Sequence, residues 1–178
     1  LRMQFEINVF GQVAVTQALL PCIRKARGRI VMMSSISGRW SFGMVGAYGA
    51  SKHGVEALAN ALRQELHPWG IHVSSILPGV IDTPIWETTT AMTQDRINTG
   101  VIAPEQLALY ETQMSGMEAV ADAGKNSGTP PVKVAETVQQ ALTATTPRAR
   151  YYVGKDAKML RVLVAVLTRC YGDDRRTT

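Results

Sequence analysis

The chain has 178 residues, 46% of them hydrophobic and 6% aromatic, and a formal net charge of +5. That length suits one globular domain, and the mild, scattered surplus of base argues against a nucleic-acid reader, which would gather positive residues on one face among aromatics. The longest apolar run, Val162 to Leu167, is far too short to span a bilayer. Cys22 and Cys170 stand far apart without a secretory segment, so free, buried thiols and a soluble, cytoplasmic protein are expected.

In chain order, residues 1–27 place Phe5, Val9, Val13, Leu19, Leu20 and Ile23 at helical spacing. Pro21 falls late in this stretch, where it kinks the helix or opens its last turn. Arg24, Lys25 and then Gly28 mark the end. RIVMMSS is a short apolar run closing on small polar residues, the pattern of a buried parallel strand that opens into a loop. The loop ISGRWSFGMVG leads into a helix over 47–66, rich in small residues and ended by His67, Pro68 and Gly70. IHVSSIL is a second buried strand, stopped by Pro78 and Gly79.

Residues 80–128 are polar and methionine-containing, with weak helical pieces over 87–98 and 104–123. An insertion of this length covers a site rather than building the core. A helix over 131–144, a last strand in ARYYVG and an apolar helix over 156–171 complete the chain. The alternation predicts an α/β fold: three parallel strands with flanking helices, the C-terminal portion of a Rossmann-type doubly wound sheet whose first strands are missing. One partial domain is expected, with a core over 1–84, a covering insertion over 85–128 and a last helix/strand unit and C-terminal helix over 129–178. Leu1 falls inside an apparent helix, which points to a truncated amino terminus. No strand-to-helix turn has the G-x-G-x-x-G spacing of a phosphate cradle.

Ser35, Tyr48 and Lys52 form the strongest constellation. Tyr48 and Lys52 are four residues apart and share a helix face. An ammonium beside a phenol favours phenolate, drawing the tyrosine from about 10 toward neutrality, where it can exchange protons. Ser35 leaves the carboxyl end of a strand, where open parallel sheets place ligands, and its hydroxyl suits an oxygen that develops charge. Taken singly, each signal is weak: a Tyr/Lys pair is more often a surface pair, and a serine after a strand a loop residue. Pro78 and Gly79 read equally as a plain turn, and Asn8 as a polar surface residue. His53, His67 and His72 have no metal-ligand spacing with either cysteine, so no metal site is expected.

SSISGRWSFGMVGAYGASK resembles the active-site stretch of the short-chain dehydrogenases/reductases, with their YxxxK motif in the form Y-x-A-S-K. INVFG resembles the family segment that carries an active-site asparagine, here Asn8, and LPGVIDT the segment that closes over a nicotinamide. The resemblance is strong over 4–86 and weaker beyond. It implies an NAD- or NADP-dependent oxidoreductase interconverting an alcohol and a carbonyl. Tyr48 would be the acid/base, and Lys52 would support it and hold the nicotinamide ribose. Ser35 would orient the substrate oxygen, and Asn8 would help hold a relay water. Pro78, Gly79, Ile81 and Thr83 would contact the nicotinamide.

Trp40, Phe42, Met44, Val45, Ile85, Trp86 and Met92 are candidate liners of an apolar pocket, so a hydrophobic steroid-, retinoid- or lipid-like alcohol or ketone is the expected substrate. The family likeness of helices 1–25 and 47–66 implies a homodimer or homotetramer in the intact protein. A polypeptide of only these residues is expected to bind cofactor poorly and to be inactive. The alternative is a truncated or non-catalytic relative that serves as an interaction surface.

Overall fold

The structure is a computed structural model that describes the backbone of residues 1–173 and the side chains through residue 166. The opening helical stretch runs as α1 (Arg2–Phe5), a wider π-helical turn (Glu6–Phe10) and α2 (Gly11–Ala26). Sequence periodicity gave no sign of this widening, because the apolar positions on either side of it read as one continuous helix. Pro21 sits inside α2 without ending it. The left-handed residue that stops the helix is Arg27, not Gly28; the Gly28 amide reaches back to the Ile23 carbonyl at 2.9 Å and closes the last turn. Cys22 is exposed, against the expectation of a buried thiol, and the side chain of Cys170 lies outside the described residues.

The strand β1 (Arg29–Met33) follows, then a 3-10 turn (Ile36–Gly38), the long helix α3 (Gly46–Glu65), a second 3-10 turn (His67–Trp69) and β2 (His72–Pro78). Next come α4 (Ile85–Asn98), α5 (Pro104–Ser127), α6 (Pro131–Thr143), β3 (Arg150–Val153) and α7 (Lys155–Asp173). The three strands form one parallel sheet in the order β1-β2-β3. This is the α/β arrangement expected from the alternation of elements.

Both faces of the sheet are covered, as parallel strands require. On one face Ile30, Met32 and Val73 pack with Val9 and with Val55 and Ala59 of α3. On the other, Val31, Ile76, Tyr151 and Val153 pack against Val134, Val138 and Ala141 of α6. The central strand β2 is buried along nearly its whole length. Each of its fully buried aliphatic side chains contributes about 1.5–3 kcal/mol by leaving water.

The described chain divides into two compact units, Leu1–Gly79 with Val132–Thr178, and Val80–Pro131. The second contains α4 and α5. Within it Trp86 donates its indole N–H to the Ile81 carbonyl at 2.7 Å, and its ring lies against Gly124, where a Cβ would collide with it. Among the described residues, no helix is long and apolar enough to cross a membrane.

Candidate active site

The carboxyl end of β1 and the first half of α3 bring the predicted chemistry together. Ser35 is extended and buried, and it caps the 3-10 turn by accepting the Ser37 amide on its Oγ at 3.1 Å. Tyr48 enters from the first turn of α3, and its phenol is near enough to Ser35 for that side chain to act on its proton affinity. One turn on, the Lys52 ammonium lies 5.6 Å from the centre of the Tyr48 ring and donates to the Met33 carbonyl at 3.0 Å. Lys52 is buried. Tyr48, Lys52 and Ser35 thus converge at the end of the sheet where open parallel folds place ligands.

The electrostatics differ from the expectation of an ammonium-lowered phenol. Burial raises Tyr48 above its ordinary value, with the Ser35 side chain acting in the opposite direction, and burial lowers Lys52. Desolvation penalises the charged form of both groups, and the ammonium is bound to a main-chain carbonyl rather than to the phenol oxygen.

Asn8 occupies the middle of the π-helical turn. Its amide donates to Gln4 Oε1 and to Ser51 Oγ, both at 3.0 Å, and the Ser51 hydroxyl donates to the Tyr48 carbonyl at 2.7 Å. Its own carbonyl accepts from Gln12 Nε2 at 2.7 Å. Gln12 also reaches Met33, donating to the carbonyl at 3.3 Å and accepting from the amide at 3.2 Å. Asn8 is therefore joined to the Tyr48 turn through Ser51, and to the carbonyl that holds Lys52 through Gln12. Sequence reasoning missed both connectors. The available signal was position: Gln12 follows Asn8 by one helical turn, and Ser51 lies one turn after Tyr48.

Pro78 ends β2 opposite Val153, and the Gly79 amide donates to the Val153 carbonyl at 2.9 Å. A Cβ at Gly79 would meet the Asp156 carboxylate, which would have to move aside. Ile81 and Thr83 belong to the second compact unit, where Ile81 is bridged to Thr129. Trp40, Phe42, Met44, Ile85 and Met92 are all exposed.

The donor set suits the ribose end of a nicotinamide dinucleotide. An ammonium carries three N–H donors, and Met33 takes one from Lys52. The rest, with the Tyr48 hydroxyl one turn away, match a sugar diol. The described residues offer no corresponding glycine-rich turn for the pyrophosphate. They also contain no group of three or more His, Cys, Asp or Glu arranged for a metal.

A parallel sheet covered on both faces, with serine, tyrosine and lysine gathered at its carboxyl edge, defines a dehydrogenase-type α/β fold. A sequence profile of the short chain dehydrogenases matches residues 2–94, just over half of the chain, and the chain belongs to that family. It is 33% identical over 178 residues to 17-beta-hydroxysteroid dehydrogenase type 6 of Homo sapiens, covering 94% of this chain and 53% of that protein. It is 35% identical over 180 residues to retinol dehydrogenase 5 of Mus musculus, covering 91% and 54%. Its fold matches the crystal structure of a short-chain dehydrogenase from Streptomyces avermitilis with a TM-score of 0.71 at 26% identity, over 98% of this chain and 62% of that one. The chain spans about half the length of the curated relatives it matches.

Proposed function

We propose that the full-length protein is an NAD- or NADP-dependent oxidoreductase that interconverts an alcohol and a carbonyl on a hydrophobic, steroid-, retinoid- or lipid-like substrate. The observation that carries this reading is the convergence of Ser35, Tyr48 and the buried Lys52 ammonium at the carboxyl end of the sheet. In this reading Ser35 holds the substrate oxygen and Tyr48 moves the proton at that oxygen. Lys52 supplies positive charge next to the phenol and holds the cofactor's ribose hydroxyls, and Asn8 fixes the Tyr48 turn. Pro78, Gly79, Ile81 and Thr83 are the nicotinamide contacts. The cofactor, when bound, supplies or accepts the hydride.

The proposed substrate class is supported by the names of two relatives, a hydroxysteroid and a retinol dehydrogenase. The exposed apolar residues Trp40, Phe42, Met44, Ile85 and Met92 fit it. A homodimer or homotetramer is the proposed assembly. A panel of steroid, retinoid, fatty and sugar alcohols, each offered to the full-length protein with NAD and with NADP, tests the reading. Turnover is expected on the hydrophobic alcohols. Preference for small polar sugars would contradict the substrate class, and the absence of cofactor reduction across the panel would contradict the reaction.

A further inference from the structure

The face of α3 that carries Tyr48 and Lys52 continues for three more turns as Glu56, Asn60 and Arg63, at helical spacing. These three residues tie the helix to the far side of the sheet. Glu56 is 3% exposed, and its Oε2 accepts from Arg150 Nε at 2.6 Å. Asn60 Oδ1 accepts from Arg150 Nη2 at 2.9 Å and from Arg63 Nη1 at 2.7 Å. Arg63 also donates to main-chain carbonyls, Nε to Val73 at 2.9 Å and Nη2 to Ala149 at 3.1 Å. Arg150 is the first residue of β3, and the same short strand ends at Val153, whose carbonyl holds the Gly79 amide.

From this geometry we infer that Glu56, clamped by Arg150, is a positioning residue that sets the depth of α3 and so places Lys52 and Tyr48 against the end of the sheet. The inference rests on the reading of those two residues as the proton-transfer pair. Three considerations support it. Lys52 and Glu56 are one turn apart on the same helix face, so a change in how the carboxylate is held moves the ammonium. The apolar contacts of α3, Val55 and Ala59 on Ile30, Met32 and Val73, permit sliding because they are not directional. The charge-assisted bonds of Arg150 to Glu56 and Asn60 do fix a distance and an angle. Close packing at Gly38 transmits the position, because a Cβ there would meet the Lys52 carbonyl at 2.8 Å and Glu56 Cγ at 3.1 Å, leaving the turn after Ser35 no slack against α3.

The test is a side-chain NMR titration of Lys52 in the full-length, cofactor-free protein, wild type against Glu56→Gln. Because Glu56→Gln leaves the part-exposed Arg150 guanidinium without its carboxylate, a second variant, Glu56→Leu with Arg150→Met, replaces the pair by apolar groups. Loss of positioning lets Lys52 regain water, so its titration moves up toward the ordinary lysine range. Removing the negative charge of Glu56 while leaving the geometry intact acts the other way and lowers it. The upward shift is expected in whichever variant folds, together with a fall in kcat of about tenfold and a substrate KM within about twofold of wild type. A Lys52 titration that stays in place or moves down in the folded variants overturns the inference. The titration needs no turnover, so failure of the proposed reaction would show separately, as a wild-type protein without cofactor-dependent activity.

Discussion

In the proposed mechanism Lys52 must remain cationic to assist a phenol, yet it is buried. Burial holds it below its ordinary value of 10.5. The folded protein therefore releases this proton at a lower pH than the unfolded chain does. Between the folded value and 10.5 the unfolded chain binds more protons, so this group's contribution to stability rises with pH across that window. Tyr48 acts in the opposite sense. Burial raises it above 10.0, the unfolded chain loses the proton first, and stability falls as pH climbs past that value. Lys52→Met deletes only the first contribution. Denaturant unfolding at a series of alkaline pH values should show wild type gaining on Lys52→Met as pH approaches 10.5. A gap that stays constant across the series would contradict this account of Lys52.

At the scale of elements, the site depends on how closely the turn after β1 approaches α3. Gly38 is the point of contact: a Cβ would meet Ser34 Oγ at 2.7 Å and the Lys52 carbonyl at 2.8 Å. The serine hydroxyl can rotate away, but the carbonyl belongs to a helix backbone and cannot yield without moving Lys52. Gly38→Ala is expected to cost about 1–3 kcal/mol, as overpacking does, measured by denaturant unfolding, and to lower activity by more than the loss of folded protein explains. An unchanged stability would show that α3 has room to move. Most of this arrangement was legible in the sequence. The apolar runs RIVMM and IHVSSIL announced buried strands, and the four-residue interval from Tyr48 to Lys52 announced a shared face. Four features were not. The π-helical turn around Asn8 lies within an apolar pattern that reads as one continuous helix, and the links from Gln12 to Met33 and from Asn8 to Ser51 are tertiary. The fourth tie, Glu56 to Arg150, joins residues 94 apart in the chain, which no local pattern reports.

At the scale of the molecule, the residues described divide the labour. The sheet with its flanking helices holds Ser35, Tyr48, Lys52, Asn8, Pro78 and Gly79, while Ile81 and Thr83 begin the second unit, with α4 and α5 beyond them. The division falls within the segment LPGVIDT, between Gly79 and Val80. The sequence predicted the loosened pattern over 80–128 but not the length of its helices, because their exposed faces carry little amphipathic signal; α5 runs to Ser127. The central claim is that Tyr48 moves the proton, and the most direct measurement is the turnover of Tyr48→Phe in the full-length protein with a hydrophobic alcohol and its preferred cofactor. This substitution removes one hydroxyl and leaves the ring in place. A loss of about 10³-fold in kcat is predicted, in the range that general acid–base catalysis contributes, with the variant unfolding at the same denaturant concentration as wild type. Turnover within a few-fold of wild type would contradict the claim.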